Sequence, residues 1–154
     1  MKKNLIITTV ALCAATLANA NNLVANGDFQ QAGENGGAAH WPAPNADISY
    51  PIENGNRFLR LTQNEPGKNV MIYQPVNVAG AAGVKMTFKA RWKDVAHGDQ
   101  NWFDARIMMT FKDGNHGDVP GAAQPGAPNF HGSSDGWQAR EFPLKFRKAR
   151  CFWR

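Results

Sequence analysis

Residues 84–93, VKMTFKARWK, alternate apolar and basic or polar side chains without a break. Successive side chains of a strand point to opposite faces, so a period of two over ten residues describes a β-strand with one buried face. The same alternation recurs. Phe103, Ala105, Ile107, Met109 and Phe111 form a second apolar row, with Asp104, Arg106, Thr110 and Lys112 opposite. Phe142, Leu144 and Phe146 make a third, and residues 58–62 and 70–74 are shorter β-rich runs. Clusters of Gly, Asn, Pro and Asp at 53–56, 64–67, 79–83 and 96–99 supply turns between them. No window carries a helical stripe. Five or six such strands predict an all-β sandwich. Residues 113–136, rich in Gly, Pro, Asn and Ser, are long for a connection and read as either a binding loop or a variable excursion.

The first twenty residues stand apart. Lys2 and Lys3 precede an apolar stretch over 5–17, and Ala18-Asn19-Ala20 supplies the small residues that signal peptidase requires. The stretch is too short and too rich in Ala and Thr to anchor in a bilayer. Export to the periplasm or outside the cell, with cleavage after Ala20 and no membrane association afterwards, is therefore expected. Residues 21–146 then form one domain and 147–154 a basic tail. Of the two cysteines, Cys13 leaves with the leader, so Cys151 has no partner for an intramolecular disulfide. Such a domain relies on packing, a bound ion, or both.

The net charge of +5 is unevenly spread. All acidic residues lie between Asn21 and Leu144, where they outnumber the basic ones, while residues 145–154 carry only basic charges. A nucleic-acid surface needs basic residues interleaved with aromatics through the fold. The body does not supply one, and no nucleic-acid partner is expected.

Several short motifs follow in a set order. Asn26-Gly27-Asp28-Phe29 opens the domain; Trp41, the 58–61 run, Tyr73-Gln74-Pro75-Val76-Asn77-Val78, the 85–91 strand, residues 105–111 and Gly136-Trp137 succeed it. This order resembles the carbohydrate-binding modules of the galactose-binding-like β-sandwich type, found beside cellulases and xylanases. The resemblance spans nearly all of residues 22–146. It implies a jelly-roll of two antiparallel sheets that binds polysaccharide or oligosaccharide without catalysis. It also implies a structural calcium ion near the opening strand, held through Asp28 and the position of Gln30, where a neutral amide replaces the usual acid and weakens the site. The family pattern continues beyond Phe146 through one or two more strands. Residues 147–154 have neither alternation nor turn chemistry and read as a shifted frame, so the jelly-roll is expected to lack its C-terminal strand or strands and to expose an edge.

A sugar site needs flat aromatic faces to stack on pyranose rings and planar polar groups to fork hydrogen bonds to hydroxyl pairs. Trp102 is the best-placed aromatic, on the phase of Asp104 and Arg106 and opposite the Ile107/Met109 row. Tyr73, beside Gln74, is second. Trp41 and Trp137 are expected to pack in the core, and Trp92 to be buried or at its rim. Residues 113–118 lack the bidentate acid of a calcium loop, with Gln124 at the twelfth position, and read as a hairpin turn. The four histidines, His40, His97, His116 and His131, show no metal-ligand spacing. No nucleophile arrangement stands out, and no catalytic residue is assigned. The alternatives to glycan binding are a small jelly-roll hydrolase or lyase using acids around Trp102, and a structural or adhesive β-domain or inactive fragment of a larger enzyme.

Overall fold

The computed structural model describes residues 3–8, 22–79, 81, 83–100, 104–119 and 128–145. Every regular element among them is a strand, so the chain is all-β. In chain order these are β1 (Lys3–Thr8), β2 (Ile48–Ser49), β3 (Ile52–Glu53), β4 (Asn56–Arg57), β5 (Leu59–Gln63), β6 (Gly83–Lys93), β7 (Ala105–Arg106), β8 (Asn129–Phe130) and β9 (Gln138–Lys145). The main sheet has five strands in the order β2-β5-β1-β6-β9, and β3-β4 and β7-β8 are two-stranded ribbons. All pairings are antiparallel.

The alternating run becomes β6, the longest strand, paired along residues 83–90 with β9. Its phase is the expected one. Phe88 and Ala90 are buried with Phe130, and Met86, Trp92, Ala105, Ile107 and Phe142 close around them. Phe88 stacks on Phe142 at 5.9 Å and meets Phe130 edge-on at 6.3 Å, the geometries that ring quadrupoles favour. The opposite face of β6 carries Lys85, Lys89, Arg91 and Lys93.

A second cluster gathers Phe29, Ala38, Ile48 and Leu59, with Trp41, Tyr50, Leu61, Val70 and Ile72 packed against it. The opening Asn-Gly-Asp-Phe organises it. Phe29 N–H closes a turn on Asn26 C=O at 3.0 Å, and the Asn26 side chain bonds Gln31 through both its ends and donates to Ala39 C=O. The Trp41 indole donates to Asn26 C=O at 2.9 Å, so Trp41 packs in the core as expected.

Between the two clusters lies β1. Leu5 stands in register with Leu61 of β5 and Trp92 of β6, and Ile7 with Leu59 and Ala90. The segment whose sequence reads as a leader is thus the central strand of the sheet. It occupies a position between β5 and β6 that would otherwise leave two strand edges unpaired.

Two expected strands are shorter or absent. Residues 70–74 form no ladder; Val70 and Ile72 are half-buried against the Phe29 cluster, and the Gln74 amide is tied instead to Ala25 and His40. Side-chain burial and one amide hold this run in place, and no strand among the described residues pairs with it. Among the described residues of the 103–111 row, Ala105–Arg106 pair with β8, and Ile107 N–H adds one bond to Pro128 C=O. Residues 113–118 are the hairpin turn expected, with Asp113 accepting from Asn115 and Gly117 N–H.

Candidate functional site

Residues 53–56 read Glu-Asn-Gly-Asn, and Asn54 and Gly55 both take positive φ, 52° and 82°. This is the two-residue hairpin turn for which Asn-Gly is the preferred sequence. It lifts the β3–β4 ribbon beside the basic face of β6. Glu53 is met there by Arg91, whose two guanidinium nitrogens donate to the two carboxylate oxygens at 3.2 and 2.9 Å. Such a bidentate fork fixes both planes as well as neutralising both charges.

The aromatic wall of this space comes from farther along the chain. Gly136, at φ 65°, turns the backbone into β9 and sets Trp137 edge-on to the buried Phe58 ring at 5.3 Å. Arg91 also lies over the Trp137 ring at 4.8 Å, within cation–π range. Together with Asn54, Asn56 and Lys89 these residues line a cleft of about 260 Å³. Trp137 is half-buried: it packs on Phe58 as expected of a core residue but also faces the cleft.

The residues singled out in the sequence fall elsewhere. Trp102 lies outside the described residues. Asp104 and Arg106 are together, the Arg106 Nε donating to Asp104 Oδ1, with Asn129 Nδ2 3.4 Å from Oδ2. The phase of Asp104 places it on the solvent face, yet its side chain is fully covered, with Arg106 and Asn129 bonded to it. The Asp104 hydrogen bond holds the Arg106 pKa above its usual value. Tyr73 is 84% exposed on the irregular segment beside the Phe29 cluster, whereas Asp104 and Arg106 adjoin the Phe130 cluster. The structure does not join Tyr73 to them. Trp92 sits at the rim as expected, its indole donating to His131 C=O.

Asp28 and Gln30 are neighbours, but as arranged they do not fit a calcium ion. Gln30 Oε1 already accepts from Arg57 N–H at 3.2 Å, and its Nε2 donates to Asp28 C=O at 2.6 Å and Arg57 C=O at 2.9 Å. An amide N–H therefore sits on the Asp28 carbonyl and the Gln30 oxygen is turned to Arg57, so of these two residues only the Asp28 carboxylate is offered to a cation that takes six to eight oxygens. The amide itself ties the opening loop to β4. Gln30→Ala is expected to cost about 1–2 kcal/mol through these exposed bonds, read from urea unfolding, while 5 mM-scale additions of CaCl2 or EDTA (~5 mM, far above the sensor range of Ca²⁺ sites) leave the wild-type midpoint unchanged.

No helix among the described residues is long and apolar enough to cross a membrane. Compared with known proteins, the chain matches no family model, no curated protein and no solved structure.

Proposed function

We propose that this chain is a non-catalytic polysaccharide-binding module of an exported protein that keeps residues 3–8 as a strand of its sheet, built as a jelly-roll β-sandwich of the galactose-binding-like type, and that it holds its glycan in the cleft between the β3–β4 ribbon and β6. The observation that carries this reading is the meeting of Trp137 and Phe58 with the Arg91–Glu53 fork, Asn54 and Asn56 in one concavity. Aromatic surface answers the C–H faces of a pyranose, and side-chain amides with a guanidinium held in place by Glu53 answer its hydroxyls. Ligand clefts run from about 300 Å³ upward, so this one suits a short segment of a longer chain.

Binding is favoured over hydrolysis by the acid count. Glycoside cleavage uses two carboxylates flanking one bond. Glu53 is the one carboxylate among the described lining residues, and Arg91 already engages both its oxygens.

In native gels containing soluble xylan, glucan or galacturonan, the wild-type chain is expected to be retarded by at least one of them. Trp137→Ala is expected to weaken that retention about tenfold or more, the loss of roughly 1.4 kcal/mol, while Tyr73→Ala migrates as wild type. Trp137→Phe, which keeps an aromatic edge on Phe58, controls for folding. Retention that survives Trp137→Ala and disappears in Trp102→Ala moves the site to Trp102 and its sequence neighbours Asp104 and Arg106. Release of reducing or unsaturated ends overturns the non-catalytic reading.

A further inference from the structure

The histidines are scattered in sequence, but the fold brings two of them onto one carboxylate. β7 and β8 pair with Ala105 opposite Phe130, which puts Asp104 and His131 opposite each other one step beyond the ribbon. Val95 and Gly132 exchange backbone hydrogen bonds at 2.8 and 2.7 Å, which brings the 95–97 segment alongside His131. The rings of His97 and His131 consequently lie 3.9 Å apart. One donor atom from each of His97, Asp104 and His131 falls within 4.8 Å of the other two. Three backbone segments, each held by ladder bonds, thus converge on one point.

We propose that His97, Asp104 and His131 form a binding site for a divalent transition metal, zinc in the first instance. Two imidazoles and a carboxylate are the three-ligand set that leaves a fourth zinc position open, and imidazole selects such metals over calcium and magnesium. Asp104 is prepared for the role: Arg106 and Asn129 hold its two oxygens and fix the plane of the carboxylate, as outer-shell partners of a metal ligand do. Zinc–ligand distances of about 2.0–2.2 Å require the three donors to close inward slightly, and both imidazoles are exposed and able to do so. The guanidinium of Arg106 repels the ion and limits its affinity. The site is independent of the cleft, shares no residue with it, and needs no glycan.

The test is titration of the full chain with ZnCl2 in a non-chelating buffer, followed by calorimetry and by the histidine ring resonances. One zinc per chain is expected, with the His97 and His131 resonances perturbed and those of His40 and His116 unmoved. His97→Ala and His131→Ala are each expected to weaken binding at least tenfold, His116→Ala to leave it unchanged, and CaCl2 to bind at none of these residues. Both substitutions are at exposed positions, and the wild-type resonances report the site without any variant. Zinc that perturbs His40 or His116 equally, that binds undiminished to the His97→Ala/His131→Ala double variant, or that does not bind by about 1 mM (far weaker than structural zinc) overturns the proposal.

Discussion

A chain that begins at Asn21 is expected to lose the cooperative unfolding transition of the full-length protein and to self-associate. Its main sheet is β2-β5-β1-β6-β9, and the deleted segment is the middle strand. β1 meets β5 over five register positions and β6 over five more. Without it, two strands present unpaired N–H and C=O groups, and the positions that connect Leu59 and Leu61 to Ala90 and Trp92 are empty. A stability margin on the order of 5–15 kcal/mol does not absorb the loss of a central strand. Thermal unfolding followed by circular dichroism, with size-exclusion chromatography, reads the result. Because strand addition restores main-chain bonds on both sides, a peptide of residues 1–12 added in trans is expected to recover the transition. An unchanged midpoint for the truncated chain would show that β1 is dispensable. The outcome matters biologically, since the same residues have the composition of a removable leader.

Phe29→Ala is expected to destabilise the protein by about 3–5 kcal/mol, the usual cost of deleting a buried aromatic. Phe29 is 1% exposed and touches Trp41 at 4.9 Å and Tyr50 at 6.5 Å between ring centroids. It also holds φ at 62°, a left-handed conformation disfavoured for a bulky residue. Burial of the ring and the turn bond to Asn26 sustain that strain, and alanine keeps the strain while discarding the burial. Ile52→Ala, at a position 63% exposed, is expected to change stability by less than about 0.5 kcal/mol. Urea unfolding of both variants separates them. Equal effects would contradict the assignment of the core.

Much of the fold was legible locally, and the reason differs by element. β6 declared itself because one face is buried along its length, so sequence alternation and burial coincide. The turn at Asn54-Gly55 was legible because few other dipeptides tolerate two positive φ values, whereas the short strands it joins were not. Residues 70–74 misled because β-rich composition reports half-burial, which a segment outside the described ladders also satisfies. β1 was masked by a stronger pattern: a short apolar run behind two lysines has the same composition whether it is read as a leader or as a strand.

The sites were less legible than the fold. Trp137 reads as a core residue because it adjoins a turn and a strand, and only the approach of Arg91 and the β3–β4 ribbon gives it a second face. Arg91 belongs to the basic row of β6, where nothing in sequence distinguishes it from Lys85 or Lys93. His97 and His131 are 34 positions apart, and their meeting depends on the β7–β8 register and the Val95–Gly132 bridge. Asp104 and Arg106 were correctly seen as neighbours, but alternation could not reveal that the carboxylate is fully covered.

The cleft is tested most directly by the indole N–H resonances of the full chain during titration with a xylo- or cello-oligosaccharide, each tryptophan assigned by its Phe variant. Trp41 and Trp92 donate their indole N–H groups to backbone carbonyls within the fold, so their resonances are expected to stay in place. The Trp137 resonance is expected to move in a saturable manner. Saturable movement of any other tryptophan with Trp137 fixed, or no movement at all with every glycan tried, would contradict the proposed cleft.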